Sequence, residues 1–91
     1  MATDVRDNTE SSRFELDIAG QITFADYRRD GETLVIRHVE APPALRGTGA
    51  ADRLMQGIVE LARAQGLKLL PRCGYAVSWL RRHSAHRDLL A

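Results

Sequence analysis

The sequence has little cysteine, few aromatic residues and no long apolar run. Its single cysteine, Cys73, excludes an intramolecular disulfide and zinc sites built from several cysteines. An aromatic content of 5% offers no platform for stacking nucleic-acid bases. No window approaches the roughly 18 apolar residues of a membrane-spanning helix, and residues 1–8 lack the apolar stretch of a signal peptide. We therefore expect a cytoplasmic protein without a membrane segment.

The chain also lacks an excess of charge of either sign. Thirteen Lys and Arg residues oppose 12 Asp and Glu residues, for a formal net charge of +1. Strong attraction to nucleic acids or anionic membranes is therefore not expected. The length of 91 residues allows one domain with a modest core, as a monomer or a weak homodimer. Three scattered histidines and no metal-ligand spacing predict that there is no metal site.

The hydropathy pattern predicts one α+β domain over residues 13–91, after a disordered segment at residues 1–12 that carries no hydrophobic period. Three segments rich in alternating or β-branched apolar residues predict an antiparallel meander: residues 13–18, 22–27 and 33–39. Asp30-Gly31 is a typical hairpin turn between the last two of them.

The second half of the domain changes to a helical period. From Ala51 onward, apolar residues fall on one face of a helix that we expect to stop at Gly66. A short apolar strand at residues 67–70 follows, and then a last helix from Tyr75 to about His83. The predicted order is β-β-β-α-β-α, and the strands on either side of the first helix are expected to be parallel.

The segment Arg46-Gly47-Thr48-Gly49-Ala50-Ala51 joins the third predicted strand to the first predicted helix. Its two glycines allow a sharp turn and close approach of a ligand. The first N–H groups of a helix have no partner within the helix, and together with the helix dipole they favour a phosphate. Arg46 adds a charged donor. The alternative is a glycine-rich loop that merely starts a helix.

These residues resemble a known family. Arg46, Gly49 and Ala51 match the signature of the GNAT-type N-acetyltransferase superfamily, in which Gln or Arg is followed by Gly and then by Gly or Ala at the same spacing. Four further segments resemble the small GNAT-like acetyltransferases of about a hundred residues, so that the resemblance covers residues 14–90. They are His38-x-Glu40-x-Pro42, Pro71-x-Cys73-x-Tyr75, Leu80-x-Arg82-His83 and Asp88-Leu89-Leu90.

The resemblance implies a minimal GNAT fold, with a mixed and mostly antiparallel sheet, that binds acetyl-coenzyme A or a related acyl-coenzyme A. The strands at residues 33–40 and 67–70 would splay apart and admit the pantetheine arm, which would hydrogen-bond to backbone near Val39 and Ala41. The pyrophosphate would lie on the glycine-rich segment. Its expected ligands are Arg46, Gly47, Thr48, Gly49, Ala50 and Ala51.

The resemblance also implies N-acyl transfer, for which four residues are candidates. His38 is a candidate base, although such a histidine can equally be satisfied by a backbone carbonyl. Glu40 would orient a water or bind a cationic acceptor; the alternative is that it caps or pairs with an arginine. Cys73 precedes a predicted helix, and it is a candidate nucleophile, a general acid for the leaving thiolate, or a small buried residue. Tyr75 is either a proton donor or a packing residue.

The acceptor is expected to be an amine of a small molecule or of a protein. In longer members of the superfamily, helices inserted after the first strand form one wall of the acceptor site. Here Ala19-Gly20-Gln21 joins the first two predicted strands directly, so we expect an open cleft. Two alternatives are a non-catalytic coenzyme A-binding or partner-regulating module, and a nucleic-acid module that uses the basic residues 81–87.

Overall fold

The computed structural model describes residues 4–91, which form one five-stranded sheet with two α-helices. The strands lie in the sheet in their chain order, from β1 at one edge to β5 at the other. Short 3-10 helices at Pro43–Leu45 and Ser84–Leu89 precede α1 and follow α2. The elements are β1 (Arg6–Asn8), β2 (Arg13–Ile18), β3 (Gln21–Asp30), β4 (Thr33–Glu40), α1 (Ala50–Gln65), β5 (Lys68–Pro71) and α2 (Gly74–Arg82).

The α+β fold and its strand directions are confirmed. β2, β3 and β4 form an antiparallel meander, and β4 pairs with β5 in parallel. α1 ends where the pattern predicts, since Gly66 adopts a left-handed conformation with φ of 70° and its N–H caps the helix. α2 begins at Gly74 and runs to Arg82, close to the predicted bounds.

β1 corrects the prediction of disorder over residues 1–12. Arg6–Asn8 pairs antiparallel with β2, and Val5 is only 5% exposed. Residues 1–3 of the predicted disordered segment lie outside the described residues. The pattern hid this strand because it has only three residues, all polar, and is held by side-chain bonds from Arg6 and Asn8 to Glu15.

The two faces of the sheet differ in what covers them. Phe14 and Leu16 of β2 belong to one buried cluster with apolar residues of α1 and α2, including the fully buried Trp79. Side chains alternate along a strand, so their neighbours point to the other side. There the side chains of His38 and Glu40 are 54% and 53% exposed. We call this side, which carries Arg13, Phe24, His38 and Glu40, the exposed sheet face.

A β-bulge in β4 decides which backbone groups are free. Asp26 is opposite His38 and Tyr27 is opposite Ile36, so Arg37 is an extra residue. Ahead of the bulge, Ile36 presents its carbonyl to β5, where it accepts from Arg72 N at 2.8 Å. The extra residue changes the alternation, and we infer that Val39, rather than His38, turns its backbone away from β3.

The pairing of β4 with β5 stops at the bulge. Its last register pair is Ile36 with Pro71, whereas β4 continues to Glu40. The two strands therefore enclose an opening whose closed end, which we call the apex, lies at Ile36 and Arg72. The free edge of β4 along this opening leads toward the loop before α1.

Candidate functional site

The glycine-rich segment forms a cleft of about 260 Å³ between the end of β4 and the start of α1. Gly47 and Gly49 have φ of 79° and 85°, left-handed values that favour glycine. Seven of the nine lining residues lie between Ala41 and Ala51. The lining residues are Ala41, Leu45, Arg46, Gly47, Gly49, Ala50, Ala51, Asp52 and Tyr75.

The start of α1 offers backbone donors to this cleft. The first bond from residue i to residue i−4 runs from Arg53 N to Gly49 O at 3.0 Å. The N–H groups of Ala50 and Ala51 precede it, so they have no partner of this kind within the helix. Gly49 is the N-cap and makes no side-chain cap. Donors that no side chain caps, at the positive end of a 16-residue helix, suit an anion.

Arg46 and Thr48 have different parts in the loop. Arg46 lines the cleft, and its Nε donates to Ala41 O at 3.4 Å, which ties the loop to the end of β4. Thr48 is not among the lining residues. Its hydroxyl and its N–H both donate to Leu45 O, so it closes the turn instead.

Asp52 of α1 and Tyr75 of α2 complete the lining of the same cleft. The Asp52 carboxylate accepts from Trp79 Nε1 at 2.7 Å, and it lies 4.0 Å from His83 Nε2. Tyr75 is 37% exposed. Burial, followed by the negative charge of Asp52, raises the pKa of the Tyr75 phenol, so it remains a protonated donor at neutral pH.

Cys73 lies next to the apex. It directly follows Arg72, whose N–H is bonded to Ile36 O, and it is the N-cap of α2. Its Sγ accepts from Ala76 N at 3.4 Å, and its side chain packs partly against the core. Cys73 thus follows the closed end of the opening in the chain, and its thiol lies at the positive end of a helix.

His38 and Glu40 form a pair on the exposed sheet face. His38 Nε2 lies 3.2 Å from Glu40 Oε1, and the His38 and Phe24 rings form a T-shaped pair with their centroids 6.3 Å apart. When Nε2–H donates to the carboxylate, Nδ1 of the neutral imidazole carries the free lone pair. The pair can therefore hold a histidine in a form that accepts a proton.

The predicted residues lie in three places in the structure. All the predicted loop residues except Thr48 line the cleft before α1, and Tyr75 joins them. Val39, His38 and Glu40 lie along β4, and Cys73 lies at the apex. The pattern did not single out Asp52 or the bulge residue Arg37, since a charged residue in a first helical turn and one in a strand carry no distinctive spacing.

Residues 4–91 contain neither a metal-ligand cluster nor a membrane-spanning helix. No group of His, Cys, Asp and Glu there is placed to hold a metal ion. No helix in this part of the chain is long and apolar enough to cross a membrane.

Comparison with known proteins agrees with the architecture. A family model described as GCN5-related N-acetyl-transferase matches residues 13–89. The solution structure of a GCN5-like protein from Staphylococcus aureus, by its name a candidate N-acetyltransferase, is similar with a TM-score of 0.74. The sequences are 23% identical, and the match covers 100% of this chain and 91% of that one. A search of the curated proteins finds no match.

Proposed function

Because the chain belongs to the GCN5-related N-acetyltransferase family, we propose that it binds acetyl-coenzyme A or a related acyl-coenzyme A and transfers the acyl group to an amine. One observation carries the proposal. The cleft before α1, which is lined from Ala41 onward, and the apex at Ile36, near Cys73, lie at opposite ends of the free edge of β4. A ligand with a phosphate end and a reactive thioester end would fit along that edge.

The residues fit the parts of coenzyme A. The N–H groups of Ala50 and Ala51, with the Arg46 guanidinium, suit the pyrophosphate. Backbone groups of Val39 and Ala41 on the free edge suit the amides of the pantetheine arm, much as a further strand would. Asp52 brings a negative charge to the phosphate end, but its bond from Trp79 draws that carboxylate toward α2.

The bound group supplies an acyl thioester, and this chain supplies positioning and a proton path. His38 accepts the proton of the attacking amine at Nδ1, while Glu40 holds the ring through Nε2. Cys73 adjoins the apex, where it either takes the acyl group on Sγ or gives a proton to the leaving thiolate. Tyr75 lines the cleft proposed for the pyrophosphate, so its hydroxyl would donate a hydrogen bond or a proton at that end of the ligand.

Binding is tested first, by thermal unfolding with acetyl-coenzyme A. If the affinity is micromolar, a millimolar excess stabilises the protein by about 4 kcal/mol. Arg46→Gln should reduce this stabilisation, because it removes the guanidinium from the cleft. Arg28→Gln is the control, since it removes an exposed arginine of β3 that does not line the cleft. The absence of stabilisation by any acyl-coenzyme A would refute the proposal.

The role of Cys73 is tested by intact mass after mixing with acetyl-coenzyme A and no amine. A nucleophile accumulates one acetyl group, which Cys73→Ala abolishes. If Cys73 is instead a general acid, the wild type carries no acetyl group, but Cys73→Ala loses acetyl transfer to an added amine. Cys73→Ser retains a capping side chain but no thiol, whereas Cys73→Ala also removes the acceptor of Ala76 N, so the pair of variants separates capping from chemistry. Full turnover by Cys73→Ala would leave Cys73 a structural role only.

A further inference from the structure

A second cleft opens on the exposed sheet face, apart from the cleft before α1. It has a volume of about 300 Å³ and lies between the turn that joins β1 to β2 and the bulge of β4. This turn lies at residues 9–12. The two strands predicted over residues 13–18 and 22–27 are β2 and β3, and they are joined directly at residues 19–21, as expected. The cleft is lined by Ser11, Ser12, Asp26, Tyr27, Arg37 and His38.

The register places this cleft level with the apex. Tyr27 N donates to Ser12 O at 3.0 Å, and Arg72 N donates to Ile36 O at 2.8 Å. Tyr27 and Ile36 are themselves register partners, so these bonds form one row across the sheet. Adjacent strands are about 5 Å apart. His38, the proposed base, therefore borders both the cleft and the region where the acyl group would lie.

The cleft carries two opposite charges that do not pair. Asp26 is half-buried and Arg37 is exposed. Within residues 4–91, neither side chain has a hydrogen bond or an ion pair. The neighbouring Arg13 and Glu15, in contrast, bind each other at 2.8 Å. One carboxylate and one guanidinium, both unpaired and lining a single small cleft, complement a ligand that bears both charges.

We propose that this cleft binds the acceptor, and that the acceptor is a small zwitterionic amine such as a free amino acid. The ligand carboxylate pairs with Arg37, for which a planar guanidinium is well shaped. The ligand ammonium lies against Asp26, within reach of His38. This assignment rests on the proposed function for its chemistry, but the binding site itself does not depend on it.

The chemical step balances with the groups named. His38 removes a proton from the ammonium, and the neutral nitrogen then forms a C–N bond to the acyl carbon. The C–S bond breaks, its electron pair goes to sulfur, and the second proton lost by nitrogen ends on the thiol. No oxidant, reductant or metal is required.

Binding is measured by NMR titration of the isotope-labelled full chain with L-amino acids and with their carboxamides, which lack the carboxylate. Amino acids should shift the backbone signals of Ser12, Tyr27 and His38. Loss of a charge-assisted bond costs about tenfold or more in affinity, so the carboxamides should bind at least that much more weakly. The titrations are run with and without coenzyme A.

Two substitutions separate the charges. Arg37→Gln should lower the affinity for amino acids to that for their carboxamides, and it should leave the affinity for the carboxamides unchanged. Asp26→Asn should weaken both kinds of ligand. The matched controls are Arg28→Gln and Asp30→Asn, which remove the same charges from exposed positions of β3 outside the cleft, and they should change neither affinity.

The outcomes distinguish this inference from the proposed function. If acetyl-coenzyme A stabilises the protein but carboxamides or spermidine bind as well as amino acids, the zwitterionic acceptor is wrong and the acyltransferase proposal stands. If amino acids shift the cleft signals but no acyl-coenzyme A binds, the site stands and the acyltransferase proposal fails. If no amino acid shifts these signals with or without coenzyme A, the inference is overturned.

Discussion

Replacing Glu15 with glutamine should make the stability of this domain less dependent on acidic pH. Glu15 is only 4% exposed, and its carboxylate accepts from Arg6, Arg13 and Asn8 at 2.8 to 3.2 Å. The bonds from Arg13 and then Arg6 lower the pKa of Glu15 from 4.5 to about 2, against the opposing effect of burial. Glutamine has the same shape but no charge to bind the two guanidinium groups.

The size of the effect follows from that pKa. At about 1.4 kcal/mol per pH unit, lowering it from 4.5 to about 2 corresponds to about 3 kcal/mol of folding free energy. Arg6 is 64% exposed, and solvent screening around it reduces our expectation to about 2 kcal/mol. Because the pKa is lower in the folded state, this contribution is complete above about pH 4.5 and is lost as the pH falls toward 2.

The assay is urea unfolding of the wild type and of Glu15→Gln, at pH values from 7 to 2.5, followed by Trp79 fluorescence. The difference in unfolding free energy should be about 2 kcal/mol at pH 7 and should shrink steadily below pH 4.5. Other titrating groups are common to both proteins and cancel in the difference. A difference that stays constant down to pH 2.5, or that is absent at pH 7, would refute the reasoning.

Three further predictions test the site and its support. Gly49→Ala and Gly20→Ala both place a side chain at a φ near 85° with no atom in its way, so each should lower the free energy of unfolding by about 1–2 kcal/mol. Only Gly49→Ala should weaken acetyl-coenzyme A binding, because Gly20 is not in the cleft. Trp79→Phe should cost about 2–3 kcal/mol in urea unfolding followed by circular dichroism, because it leaves a cavity in the core and removes the donor that holds Asp52. The same variant should weaken acetyl-coenzyme A binding, since Asp52 lines the cleft. Burial, and then the hydrogen bond to Asp7, raise the pKa of Tyr27 to about 12, so ultraviolet absorbance should show its phenol un-ionised at pH 11. Because this pKa is higher in the folded state, the contribution of Tyr27 to stability should be complete below pH 10 and lost as the pH rises from 10 to 12.

The sequence predicted the elements whose signals are local. The helical period after residue 50 and the stop at Gly66 gave α1, and the two glycines gave the loop before it. β1 was missed because its order comes from partners distant in sequence, with Arg6 nine residues from Glu15. A short polar strand held by such bonds has no hydrophobic pattern to detect.

The site shows the same division. The loop residues could be predicted because a glycine-rich turn before a helix binds anions through its own backbone. The bulge at Arg37 could not, since Arg37 and His38 are both polar and exposed, and the alternation of side chains does not reveal an extra residue there. The position of Asp26 opposite this bulge depends on the register of β3 and β4, which a single sequence does not specify.

The bulge links the two clefts in one geometric argument. Without the extra residue, His38 would turn its backbone toward the free edge of β4, and Val39 would leave the core against which it now packs. With it, Val39 keeps its apolar side chain inside, and its backbone is free for a ligand. The extra residue is Arg37, and its side chain lines the cleft beside Asp26 and His38. One inserted residue thus exposes the edge that would hold the donor and shapes the cleft that would hold the acceptor, on adjoining sides of a single strand.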